Sequence, residues 1–257
     1  MNKDITLQNG NITLINDDCL SYMKNISSQS VDLILCDLPY GVLNKNNNGA
    51  KWDYPINLTE LFSQYNRIIK DNGAIVLFGQ GMFSAELMLA NKKYWRYNLI
   101  WDKKVKTGFL NAKRMPLRQH EDIIIFYKSL PTYNPQMVKS ESHQRNHGKG
   151  KNINNCYGKF IPTPTVIADE KYPTSIIEYN NGNKIGRHHP TEKPIELLSY
   201  LIKTYSNEND LILDNAMGSG STIVAAIKEN RKAIGIELDE NFFNISVERC
   251  NKMINNE

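Results

Sequence analysis

The sequence predicts an α/β protein built on a doubly wound, mostly parallel sheet. Three observations carry that prediction. Short apolar runs of strand length alternate with stretches of helical spacing, the pattern of successive βα units. One run, Ser30-Val31-Asp32-Leu33-Ile34-Leu35-Cys36, is almost continuously apolar, as a strand covered on both faces must be. Another, Asp210-Leu211-Ile212-Leu213-Asp214, passes through a glycine-bearing turn into a helix.

The chain's 257 residues suit one large domain with an inserted lobe. A net charge of +4 is mild, so a polyanionic partner has to be argued from where the charges lie. Cys19, Cys36, Cys156 and Cys250 show no paired metal spacing and read as reduced thiols of an intracellular protein. His143, His147 and Cys156 offer zinc three donors without a fourth, so no metal site is expected. No apolar run is long enough to span a bilayer, and Met1-Asn2-Lys3-Asp4 does not begin a signal peptide. A cytoplasmic protein is expected.

Taken in order, residues 11–16 alternate as a strand and end in Asp17-Asp18, ahead of a short helical stretch over residues 21–26. Asp18 suits a helix cap. The buried strand over 30–36 then delivers Asp37-Leu38-Pro39-Tyr40-Gly41. Proline fixes its own φ and biases the residue before it towards an extended conformation, so this loop leaves the strand along a set path. It offers a carboxylate, backbone carbonyls and an aromatic face at a carboxyl strand end, where open α/β sheets bind ligands. That set suits a flat heterocycle bearing an amino group.

Residues 43–49 are polar and asparagine-rich and lead to Lys51-Trp52-Asp53. Residues 58–70 have helical spacing and stop at Asn72-Gly73; a strand over 74–79 and a helix over 82–91 follow. Strands are expected over 94–101 and 122–127, with Lys103, Lys104, Lys106, Lys113, Arg114 and Arg118 between them. Such a run is either a solvated face or a grip on a phosphate backbone. Residues 131–187 are rich in Asn, Gly, Pro and Lys, include the basic Asn146-His147-Gly148-Lys149-Gly150-Lys151, and promise irregular strands at 160–166 and 175–179. Polar side chains with scattered bases and aromatics suit base-edge reading, which makes this the expected target-recognition region between catalytic segments 1–130 and 188–257.

His189-Pro190-Thr191-Glu192-Lys193-Pro194 enters a helix over 195–205, with proline at a favoured start position. After the strand ending at Asp214 comes Asn215-Ala216-Met217-Gly218-Ser219-Gly220-Ser221-Thr222, then a helix over 223–229 and a strand over 232–236 ending at Glu237. Glycines let a ligand approach the backbone, the helix N-terminus favours a carboxylate, and Glu237 suits two ribose hydroxyls. Asp214, which the usual dinucleotide fingerprint lacks, suits a cationic amino group.

These motifs together resemble the β-type amino-group DNA methyltransferases. Asp37-Leu38-Pro39-Tyr40 resembles their Asp-Pro-Pro-Tyr signature with Leu38 in place of the first proline. The string 189–194 resembles their His-Pro-x-x-Lys-Pro motif, and 214–222 resembles Asp-Pro-Phe-x-Gly-Ser-Gly-Thr, from which Asn215, Ala216 and Ser221 depart. The resemblance covers residues 11–130 and 188–250 and includes the order of the motifs, with the cofactor-binding strands last.

It implies a Rossmann-like methyltransferase fold and S-adenosylmethionine bound by Asp18, Lys193, Asp214, Gly218, Gly220, Ser221 and Glu237. It also implies catalysis by Asp37, Leu38, Pro39 and Tyr40 on an adenine flipped from double-stranded DNA, and it raises a homodimer and a cognate restriction endonuclease as partners. Asp37 rather than serine favours adenine N6 over cytosine N4. Modification of an RNA base or a protein amide, and a catalytically silent DNA-binding module, are the other readings; the former relatives typically carry asparagine at the Asp37 position.

Overall fold

The computed structural model describes residues 3–41, 55–144, 167–181 and 192–255. The stretches 43–49, 51–53, 146–151, 160–166 and 189–191, together with His147 and Cys156, lie outside the described residues. Two compact units divide the chain: Met1–Asn134 with Ser175–Glu257, and Pro135–Thr174.

The larger unit holds a nine-stranded sheet in the order β1-β2-β11-β10-β3-β4-β6-β5-β9. Its strands are β1 (Lys3–Leu7), β2 (Ile12–Asn16), β3 (Val31–Cys36), β4 (Ile69–Gly79), β5 (Trp95–Thr107), β6 (Arg118–Phe126), β9 (Ile176–Glu178), β10 (Leu211–Asp214) and β11 (Lys232–Glu237). From β2 through β4 the pairing is parallel; β1 and β6 join antiparallel at either side of that block. The smaller unit carries an antiparallel pair, β7 (Val138–Gln144) with β8 (Ile167–Lys171).

Alternation along the central strands fills two cores. Leu33, Leu35 and Val76 point to the face covered by α4 (Ile195–Tyr205), α5 (Ser221–Lys228) and α6 (Glu240–Asn255), through Leu197, Ile223 and Phe243. Ile34, Cys36 and Leu77 point to the other, covered by α1 (Cys19–Met23), α2 (Leu58–Ile68) and α3 (Met82–Ala90), through Met23, Leu61 and Leu87. Helices on both faces of a parallel block are what let β3 be apolar throughout.

Three local expectations change. The helix α2 ends at Ile68, and β4 starts at once: Val31 faces Ile69 but Leu33 faces Ala74, so Asn72-Gly73 belongs to a bulge rather than a helix stop. Gly73 is required there, since a Cβ would lie 2.7 Å from the Asp32 carbonyl oxygen. Strands β5 and β6 run beyond the expected ends and take up Lys103, Lys104, Lys106 and Arg118. Finally, β9, expected within the irregular region, pairs parallel with β5 in the main sheet.

Candidate active site

The carboxyl ends of β2, β11, β10 and β3 stand side by side. Glu237 ends β11 opposite Asn16, Asp214 ends β10 level with Gly235, and Asp37 follows β3 directly. Neighbouring strands lie about 4.8 Å apart, so loops separated by more than a hundred residues in sequence emerge together. Burial pushes Asp214 up to about 6, with hydrogen bonds from Thr222, Cys36 and the Ala216 amide opposing it and the Asp37 charge adding to it.

At the end of β3, Leu38 is 2% exposed and anchors the loop in the core. Gly41 turns the chain at φ +67°, where a Cβ would press on the Pro55 ring at 3.1 Å. The Tyr40 hydroxyl donates to Asp37 Oδ1 at 3.2 Å, and its ring lies 4.6 Å from that of Phe83. Asp37 Oδ2 accepts from the Lys193 ammonium. Burial raises the Asp37 carboxyl above the usual range; Lys193 opposes this and Glu121 reinforces it.

Lys193, just ahead of α4, is buried against the Phe78 ring, 4.9 Å from its centroid, and also faces Glu121 Oε2 at 3.6 Å. Burial alone would lower this lysine, but the carboxylates of Asp37 and Glu121 hold it above its ordinary value. On β6, Glu121 accepts from Lys103 of β5 at 2.9 Å. Burial opposes the Glu121 charge, yet the two lysines outweigh it and keep the carboxyl below its usual range. The sequence flags none of these pairings. Lys103 reads as one more base in an exposed run and Glu121 falls just ahead of the strand expected over 122–127, and only the β5–β6 register joins them.

The turn between β10 and α5 is held from both sides. Glu237 Oε2 accepts from the Gly218 amide and Oε1 from the Asp239 amide, each at 2.8 Å. Burial lifts this carboxyl to about 7, against those two bonds. Gly220 adopts φ +82° and backs onto Ser246 of α6. Arg249 of α6 donates to the Ser219 carbonyl at 2.7 Å and to Ser221 Oγ at 3.1 Å, and pairs with Glu192 at 2.5 Å. The Tyr65 hydroxyl donates to Asn215 Oδ1, while Asn215 Nδ2 is buried and has no hydrogen-bond partner among the described residues.

The structure therefore gathers Asp214, Gly218, Gly220, Ser221 and Glu237 around one turn, and Asp37, Leu38, Pro39 and Tyr40 at the next strand end. Lys193 joins the second group through Asp37. Asp18 follows β2 at the same rim, where the Asp17 amide donates to the Glu237 carbonyl at 3.2 Å, and its carboxylate caps α1, accepting from the Ser21 amide at 2.8 Å.

Residues 31–248 match the DNA methylase family N6_N4_Mtase. The chain belongs to this family. The Type II methyltransferase M.HpaI of Haemophilus parainfluenzae is 26% identical over 249 residues, spanning 94% of this chain and 75% of that protein. The DNA adenine methyltransferase YhdJ of Escherichia coli (strain K12) is 27% identical over 249 residues, spanning 92% of this chain and 82% of YhdJ. Among solved structures, the M1.HpyAVI–SAM complex superimposes with a TM-score of 0.64 at 22% identity, over 93% of this chain and 99% of that one. The cytosine-N4-specific PvuII DNA methyltransferase does so with 0.67 at 16% identity, over 98% and 95%. The fold is thus the Rossmann-like α/β fold of DNA methyltransferases in permuted order, and this DNA methyltransferase is of the class acting on adenine N6 or cytosine N4.

Proposed function

We propose that this DNA methyltransferase moves the methyl group of S-adenosylmethionine to the 6-amino group of an adenine swung out of double-stranded DNA. The adjacency of the Asp37 loop and the Asp214 turn, at the same end of the parallel strands β3 and β10, carries the reading.

The residues present fit the cofactor. Asp214 is a buried carboxylate with no ion pair among the described residues, the complement of an α-ammonium. Each Glu237 oxygen takes one amide and keeps a lone pair for a ribose hydroxyl. Asn215 Nδ2, without a hydrogen-bond partner among the described residues, offers a further donor beside them. Lys193 and Asp18 complete the expected set from the edges of the site. When bound, S-adenosylmethionine supplies an electrophilic methyl group on a sulfonium that departs as a neutral thioether.

The chain's own work is to hold the acceptor. The amine of adenine is a weak nucleophile because its lone pair is delocalised into the ring, and in a duplex it is stacked and paired. Tyr40, braced by Phe83, stacks on the extruded base. Asp37 and the Leu38 carbonyl accept from the two amine hydrogens and turn the lone pair towards the methyl. Leucine replaces proline here without loss, since the accepting carbonyl belongs to the backbone. Acceleration comes from positioning and fixed charge, with no covalent enzyme intermediate. The raised pKa of Asp37 fits it to take the released proton as well.

Aspartate at position 37 and the name of YhdJ support adenine; transfer to cytosine N4 is the alternative. The basic β5–β6 hairpin supplies a phosphate grip, and residues 131–187 supply base reading. A cytoplasmic location, a homodimer and a cognate restriction endonuclease complete the proposal, the last supported by the Type II designation of M.HpaI. Mass spectrometry of nucleosides from DNA of a methylation-free host expressing the gene tests the central point. N6-methyladenine is expected; N4-methylcytosine alone would assign the other base.

A further inference from the structure

Four buried or half-buried charges alternate in sign from β5 to the catalytic loop: Lys103, Glu121, Lys193 and Asp37. The chain is uneven at its centre. Lys193 is bonded to Asp37 Oδ2, whereas Glu121 Oε2 stands 3.6 Å from the same ammonium, inside ion-pair range but beyond a hydrogen bond. That oxygen is buried and has no hydrogen-bond partner among the described residues, although its twin Oε1 is fixed by Lys103 at 2.9 Å. A desolvated carboxylate oxygen without a donor is costly to maintain. Here it faces an ammonium that Asp37 currently holds, and Asp37 is the group that must accept from the substrate amine.

We propose that Glu121, anchored by Lys103, is a positioning residue that receives the Lys193 ammonium when the target amine engages Asp37. A displacement of about 0.7 Å brings Nζ from 3.6 Å to the ~2.9 Å of a charge-assisted bond. The hold on Asp37 Oδ2 is thereby weakened in favour of the amine, and the ammonium never loses a carboxylate partner. Lys193 has three donor hydrogens and the flat Phe78 ring beneath it, so it swings without leaving its pocket. No bond other than hydrogen bonds is exchanged. The inference rests on the reading of Asp37 as the amine acceptor.

The groups facing Asp37 among the described residues are Lys193 ahead of α4, Glu121 on β6, Tyr40 on its own loop, Cys36 at the end of β3 and Asp214 at the end of β10. Their signs give opposite expectations for two variants. In Glu121→Gln, Asp37 is the one carboxylate left facing the ammonium among the described residues, and a like charge is gone. The carboxylate is then favoured but sequestered. In Lys193→Met, Asp37 keeps Glu121 as a neighbour without the cation between them, which favours its protonated form.

Single-turnover methyl transfer against pH on the full chain, with S-adenosylmethionine affinity measured alongside, is the test. Glu121→Gln is expected to lower the plateau by about 10²-fold, the scale of a misplaced acceptor. It should also move the acid limb to lower pH, with cofactor affinity unchanged. Lys193→Met is expected to move that limb up by roughly 1–3 pH units. Limbs that stay in place in both variants, or a Glu121→Gln enzyme with the wild-type plateau, would overturn the proposal. Should Glu121→Gln fail to fold, the direction of the Lys193→Met limb decides alone. Absence of turnover by the wild-type enzyme would instead count against the parent reading.

Discussion

Asp214 and Glu237 carry their protons into a pH range where free carboxyls have lost them, because burial lifts them to about 6 and about 7. An unfolded chain releases those protons near pH 4. Between that value and pH 7 their ionisation therefore works against the fold unless a ligand cation or hydroxyl meets the charge. Cofactor affinity should accordingly strengthen as pH rises through 6 to 7, as titration calorimetry across that range would show. Asp214→Asn should weaken binding by about 10- to 100-fold, the worth of a hydrogen bond to a charged group, and should flatten the lower part of that pH dependence. Both acids are legible in the sequence because each closes an apolar strand, and Asp37 is legible for the same reason. Their partners are not. Lys193 is 156 positions from Asp37, and the string over 189–194 that singles it out points to the cofactor rather than to Asp37.

At the scale of elements, the cofactor turn depends on how closely α6 backs onto it. A methyl group at Gly220 would meet Ser246 Cβ at 2.8 Å and would occupy a left-handed backbone position. Gly220→Ala should thus destabilise the protein by about 1–3 kcal/mol, measured by denaturant unfolding, and weaken the cofactor. The hairpin of β5 and β6 is the other working element. Its bases read as a loop because lysine-rich stretches lack strand periodicity, yet Lys103 is drawn into the sheet by Glu121 and Lys104 by Asp102 and Glu178. Lys113 and Arg114 stay exposed at the tip. Arg114→Ala should weaken DNA binding nearly equally for all sequences and reduce the slope of log K against log salt by about 1. A variant that lost affinity for one site alone would assign Arg114 to base reading.

For the whole molecule, the order of motifs along the chain becomes an order of strands across the sheet: β11, β10 and β3 bring Glu237, Asp214 and Asp37 to one rim. The alternating pattern of strands and helices made the parallel block legible, since each βα unit announces itself by its period. The bulge at Asn72-Gly73 and the placement of β9 were hidden, because both arise from pairing with distant segments. Cofactor at about 100 times its dissociation constant should stabilise the fold by about 2.7 kcal/mol and raise the melting temperature by several degrees. Asp37 is the residue on which methyl transfer depends. Asp37→Ala should bind S-adenosylmethionine with near wild-type affinity by calorimetry and transfer no methyl group to DNA in a tritium assay. Full transfer by that variant would contradict the account.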